Sequence, residues 1–128
     1  MDENALSYQI VNAAIEVHRT LGGPGLLESV YEEALIWELR QRGFKVDHQK
    51  TVPIRYKEIV LASPLRLDVM VNDLVLVECK AVREYNRIFE AQLMTYLRLM
   101  NLRLGLVINF GEKYVSDGIH RVPNRMPD

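Results

Sequence analysis

From Leu67 to Lys80 the chain reads LDVMVNDLVLVECK, two apolar runs on either side of Asn72 and Asp73. Strand side chains alternate between faces, so this stretch reads as a hairpin whose register decides what each face carries. The odd positions Leu67, Val69, Val71, Val75, Val77 and Cys79 form one apolar face, while the even positions hold Asp68, Met70, Leu76, Glu78 and Lys80. A two-residue turn at Asn72 and Asp73 would set Val71 against Leu74 and Leu67 against Glu78, turning Asp68 and Glu78 to opposite faces. An odd loop or a bulge instead sets Val71 against Val75 and Asp68 against Glu78, close enough for two carboxylates to share an ion. The odd register is the expected one, because it alone keeps the other face wholly apolar.

The flanking sequence supplies helices. LSYQIVNAAIEVHRT, Leu6 to Thr20, spaces Leu6, Ile10, Ala14 and Val17 for an amphipathic helix with Ser7 as candidate N-cap, and LGGPG breaks it. LLESVYEEALIWELRQRG follows as a second helix, with Leu27, Val30, Tyr31, Ala34, Leu35 and Leu39 on a broad apolar face and Gly43 as the stop. Core packing is expected for Tyr31 and Trp37. One or two strands are expected between Phe44 and Leu61, with Pro53 marking an edge or a bend. Helical period returns from Asn86 to Asn101 through Ile88, Leu93, Tyr96, Leu97 and Met100. LRLGLVINF then reads as a buried strand and DGIHRV as a short one before a frayed polar tail. This order predicts a single α/β domain over residues 1–128, with antiparallel strands in one wing of the sheet. The third helix makes a crossover to a strand parallel to its predecessor.

Composition narrows the classes. No apolar run reaches the roughly 18 residues needed to span a bilayer, and the opening MDENALSYQ is acidic where a secretory signal would be basic. No membrane partner is therefore expected, and the cytoplasm is the expected compartment. A lone cysteine, Cys79, excludes an intramolecular disulfide. With 16 basic against 17 acidic residues the chain lacks the excess of a non-specific nucleic-acid binder, though a local basic groove remains open.

In the odd register Asp68 and Glu78 repel each other and, if partly buried, need a cation or a raised pKa; Lys80 on the same face could supply the charge. An ordinary ion pair on a half-exposed sheet is the plain alternative. Helical spacing places Glu28 with Tyr31, Leu35 and Leu39 on the side that packs against a sheet, where a carboxylate needs a partner. Gln92 and Tyr96, four apart on one helix face, offer neutral hydrogen bonds suited to a phosphate or carboxylate. Hard oxygen ligands of this kind suit Mg²⁺ or Mn²⁺, and a lysine beside them suits metal-assisted phosphodiester hydrolysis.

Asp68 followed by Glu78-Cys79-Lys80 resembles the signature of the PD-(D/E)XK nuclease superfamily, with Leu67 where the name has proline. QLMTY, Gln92 to Tyr96, is similar to the QxxxY motif of its RecB-like branch. GLLESVY, Gly25 to Tyr31, is similar to the defining stretch of the GxxExxY protein family, and the flanking AAIEVHRTLG, VECKAV and GLVINFG extend the likeness over nearly the whole chain. The resemblance implies a restriction-endonuclease-like α/β core of order αβββαβ, a mixed central sheet flanked by helices, with an extra N-terminal helix. It implies a metal-dependent nuclease of DNA, with Asp68, Glu78 and the Cys79 carbonyl as metal ligands and Lys80 as the catalytic lysine. Glu28 would stand at the outer edge of the metal, Gln92 and Tyr96 would orient the phosphate, and His18 could be the histidine that RecB-like nucleases place near the ion. A nuclease-fold binding or assembly module without turnover, serving a homo-oligomer or a protein partner, is the alternative; a small-molecule phosphohydrolase is a third.

Overall fold

The computed structural model describes residues 1–126. Helix α1 (Glu3–Leu21) and α2 (Glu28–Gln41) precede β1 (Val46–Val52). A small ribbon of β2 (Arg55–Tyr56) and β3 (Ile59–Val60) leads to β4 (Leu65–Val71) and β5 (Val75–Lys80). Helix α3 (Ile88–Met100), β6 (Leu104–Asn109), a 3-10 turn (Val115–Gly118) and β7 (Ile119–Pro123) complete the order. The main sheet runs β1-β4-β5-β6-β7, with β5 and β6 parallel and the other neighbours antiparallel. This is the expected mixed sheet with its helical crossover, and it has the layout of a restriction-endonuclease-like core.

Both faces of the sheet are covered. Leu6, Ile10, Tyr31, Leu35 and Leu39 from α1 and α2 pack on Val69, Val71, Val75, Val77 and Cys79. On the other face Leu93 and Leu97 of α3, both fully buried, pack on Met70, Leu76 and Val107. Each such leucine contributes roughly 1.5–3 kcal/mol. The fit under α3 is close, since a Cβ at Gly105 would lie 2.7 Å from Leu93 Cδ2. The half-exposed sheet of the plain alternative is thus replaced by a two-sided core in which a charge needs a reason.

Several local expectations change. The N-cap of α1 is Asp2, whose carboxylate accepts from the Ala5 N–H at 2.8 Å, while Ser7 donates back to the Asn4 carbonyl. Helix α2 starts only at Glu28, so Leu27 precedes it and is exposed, while Val30, within the helix, lies off its buried stripe. Trp37 is also exposed, on the side of α2 turned away from the sheet, and Ile88 is exposed at the start of α3. Pro53 follows the last residue of β1, an edge strand, as its missing N–H requires. The tail is not frayed as far as Asn124: that residue is buried, its N–H donates to the Arg103 carbonyl and its side chain to that of Leu102. Residues 127–128 of the tail lie outside the described residues.

The hairpin takes the odd register. Val71 pairs with Val75, Met70 with Leu76 and Val69 with Val77. Asn72 and Asp73 both have positive φ, and the Leu74 N–H donates to the Val71 carbonyl at 3.0 Å, the marks of a two-residue type I′ turn. Leu74 is the extra residue that shifts the pairing by one. The expected single apolar face of odd positions does not run the full length, however. Val69 and Val71 face α1 and α2, whereas Leu65 and Leu67 join the α3 side. The change falls at Asp68, opposite Gln49 of β1, where the β1–β4 pairing skips one step and Gln49 holds a φ of 55°.

Candidate active site

Asp68 therefore sits where β4 changes face, and continuing the β4–β5 pairing by one step sets it opposite Glu78. Glu78 is a buried carboxyl, 7% exposed, within hydrogen-bonding reach of Asp68. Burial first, and then the Asp68 carboxylate, push its pKa up to about 9, against a smaller downward pull from Lys80. Lys80, two residues along the same strand, is half-buried with its ammonium 4.6 Å from the centre of the Phe89 ring on α3. The charge pattern joins two carboxylates and one ammonium from adjacent strands.

Glu28 approaches from α2. Its backbone lies in the first helical turn, where an acidic side chain is favoured by the helix dipole. The side chain is exposed at the rim and not packed on the apolar side, because the helix begins at this residue. Its pKa is raised by partial desolvation, and of its charged neighbours Lys80 lowers it while Asp68 and Glu32 raise it. The preceding loop is held by Tyr31, whose hydroxyl donates to the Gly23 carbonyl at 2.6 Å and accepts from the Leu26 N–H at 3.1 Å. Gly25, with φ 115°, makes the turn that a residue with a side chain would resist. In the stretch Gly25 to Tyr31 the glycine turns the chain, the tyrosine ties the loop, and the glutamate between them reaches the carboxylate pair.

Tyr96 reaches the pair from α3. Its phenol is half-buried; desolvation and then the charges of Glu78 and Asp68 raise its pKa, while the Gln92 amide beside it pulls the other way. Asp68, Glu78, Lys80, Glu28, Gln92 and Tyr96 are thus one neighbourhood. Cys79 points its thiol into the α1–α2 core, fully buried, which raises its pKa well above the ordinary thiol value. Only its backbone belongs to the neighbourhood. His18 lies in that core too, with Nε2 3.1 Å from the Phe110 carbonyl and its ring 6.2 Å from the rings of Tyr31 and Phe110.

Three supporting groups carried no signal that the sequence reading used. Glu32, one turn after Glu28 and buried, binds His48 Nε2 at 2.6 Å and Gln49 Nε2 at 3.3 Å, which anchors the irregular step of β1 opposite Asp68. Its spacing of four from Glu28 was the available clue. Phe89 beneath Lys80 had none. Asn109, fully buried, accepts from the N–H groups of Val82 and Gly111 and donates to the Val82 carbonyl, locking the ends of β5 and β6 together just past Lys80.

Among the described residues no three His, Cys, Asp or Glu side chains already form a metal-binding cluster. A hard divalent ion that keeps several waters asks for only one or two carboxylates, and Asp68 and Glu78, where burial and the Asp68 charge disfavour ionisation of Glu78, offer oxygens that a cation would stabilise in their ionised form. The donor set fits Mg²⁺ or Mn²⁺.

No curated protein and no solved structure matches the chain significantly. A family model of the PD-(D/E)XK nuclease superfamily matches residues 4–122 and so takes in Glu28, Asp68, Glu78, Lys80 and both motif residues of α3. The chain belongs to the PD-(D/E)XK nuclease superfamily.

Proposed function

We propose that the chain is a metal-dependent nuclease that hydrolyses phosphodiester bonds of DNA, and that it belongs to the GxxExxY group of the superfamily. The observation that carries this reading is the Asp68–Glu78 pair: two carboxylates brought together across β4 and β5, Glu78 buried and Asp68 partly so, with the Lys80 ammonium as counter-charge. A protein with no use for this pair would be more stable with apolar residues there.

In this reading Asp68, Glu78 and the Cys79 carbonyl hold Mg²⁺ or Mn²⁺, with Glu28 at its outer edge. His18 is the weakest member of the ligand set, since its Nε2 already meets the Phe110 carbonyl. When bound, the ion would polarise the phosphodiester and acidify a water. Lys80, fixed over Phe89, orients the attacking water and stabilises the negative charge that develops on the phosphate. Gln92 and Tyr96 donate hydrogen bonds to the phosphate oxygens and fix its orientation, and this positioning supplies much of the rate.

The test is incubation of the protein with single- and double-stranded DNA and RNA in Mg²⁺ or Mn²⁺, beside Asp68→Ala and Lys80→Ala. Metal-dependent cleavage by the wild type alone is expected. Cleavage that survives both substitutions would remove the assigned site, and DNA binding without cleavage by the wild type would make the chain a binding module.

A further inference from the structure

Beyond Ile54, which packs on the α3 side, the ribbon of β2 and β3 stands outside both cores. Its rungs Ile54–Leu61, Arg55–Val60 and Tyr56–Ile59 pair only with each other, and every residue from 55 to 64 is exposed. A two-stranded ribbon standing alone is marginally stable in water. Tyr56 and Ile59, paired on one face next to the turn at Lys57 and Glu58, are 56% and 58% exposed. Such a tip is costly unless it meets something.

Charge says what it meets. Residues 50–66 carry four basic residues, Lys50, Arg55, Lys57 and Arg66, against one acidic residue, Glu58, a local charge of +3. The whole chain is −1, so everything else sums to −4. A net basic stretch thus runs along the ribbon and the flanking parts of β1 and β4, in a chain that is acidic elsewhere. Lys57 Nζ lies 5.4 Å from the centre of the Tyr56 ring, so the aromatic face and a cation form one element. Aromatic platforms interleaved with basic side chains are what an unpaired nucleic-acid strand requires, the rings stacking on bases and the cations meeting phosphates.

Position fits the same partner. Ile59 at the tip lies nine residues before Asp68 in sequence, so the extended chain between them spans at most about 30 Å. The tip is therefore within about 30 Å of the carboxylate pair, the span of about nine nucleotides at 3.4 Å each. We infer that the β2–β3 ribbon is a docking element for the single-stranded part of the nucleic acid, with Tyr56 stacking on a base and Arg55 and Lys57 engaging phosphates several nucleotides from the bond held at Asp68 and Glu78. The inference rests on the nuclease reading for its substrate.

Binding and cleavage are measured separately. Affinity for a labelled oligothymidylate of about twelve nucleotides is read by fluorescence anisotropy in chelator, for wild type, Tyr56→Ala, Tyr56→Phe and the double variant Arg55→Ala/Lys57→Ala. Loss of one stacked base weakens Tyr56→Ala by about 5- to 150-fold, while Tyr56→Phe, which keeps its ring, stays near wild type. The double variant lowers the slope of log affinity against log salt by about 1.4. Wild-type affinity in Tyr56→Ala overturns the ribbon proposal and leaves the nuclease reading intact if metal-dependent cleavage persists. A change of oligomeric state in Tyr56→Ala at unchanged affinity also overturns it, since the ribbon would then pair with protein. A wild type that neither binds nor cleaves overturns both.

Discussion

Glu78 and Cys79 are adjacent in sequence and lie on opposite faces of β5, the carboxyl beside Asp68 and the thiol in the α1–α2 core. Parity alone separates a polar site from an apolar one here, so each substitution has a distinct expected effect. If the proposed site is right, Asp68→Ala or Glu78→Ala would remove a direct ligand and lower metal-dependent turnover by more than about 100-fold, whereas Glu28→Gln, altering only the proposed outer edge, would cost about 10- to 100-fold. Single-turnover cleavage across a Mg²⁺ titration tells the two classes apart, and a Glu28→Gln loss as large as that of Asp68→Ala would move Glu28 into the direct ligand set. Phe89 enters through Lys80. Replacing the ring by leucine forfeits a cation–π contact worth about 0.5–2 kcal/mol, so Phe89→Leu slows turnover about 2- to 30-fold while Phe89→Tyr is near wild type. Equal rates for both variants would show that the ring only fills space.

At the scale of elements, the irregular step at Gln49 opposite Asp68 marks where β4 changes the face that each of its ends presents. Gln49 has φ 55°, a region where a side chain costs about 1–2 kcal/mol, and Glu32 anchors it from α2. Gln49→Val, with a branched Cβ, should lower unfolding free energy by about 1–2 kcal/mol and weaken Mg²⁺ binding, while Gln49→Gly should stay within about 1 kcal/mol of wild type. Urea unfolding with and without Mg²⁺ measures both, and equal stability of the two would exclude strain at this residue. The same step marks the limit of what the sequence discloses. Alternation from Val69 to Cys79 was enough to predict the odd register and so the Asp68–Glu78 pairing. It could not disclose the reversal between Leu67 and Val69, because an apolar residue suits either face of a sheet covered on both sides, and a glutamine at positive φ leaves no compositional trace. Helical spacing likewise found Tyr31, Leu35 and Leu39 but included Leu27, since the chain before α2 is still turning through Gly25 and periodicity does not locate the first residue of a helix. Strand was expected between Phe44 and Leu61, but its division into β1 and a separate ribbon escaped, because strands of two residues are too short to show a period.

For the whole molecule, no helix among the described residues is long and apolar enough to cross a membrane, and the stability that holds the α/β core together is opposed by its own site. Glu78 is held above its ordinary carboxylate range, at about 9, first by burial and then by Asp68. Below about pH 4.5 the carboxyl is protonated in folded and unfolded chains alike. Above that the unfolded chain releases the proton and the folded chain keeps it, so stability falls as pH rises through the window up to about 9. Glu78→Gln, neutral at every pH, should remove this part of the slope and unfold at a higher temperature than wild type at pH 8 in chelator. A divalent ion bound only by the folded state opposes the loss by RT ln(1 + [L]/Kd), and it does so most where the carboxyl must otherwise ionise unaided. Thermal unfolding of wild type should therefore show a Mg²⁺- or Mn²⁺-dependent rise that grows from pH 6 to pH 8 and disappears in Glu78→Gln. A rise equally large in Glu78→Gln would place the ion elsewhere. Steep pH dependence in chelator with no response to either metal would mean that the Asp68–Glu78 pair is answered by Lys80 alone, and that the fold carries its acidic pair without the ion.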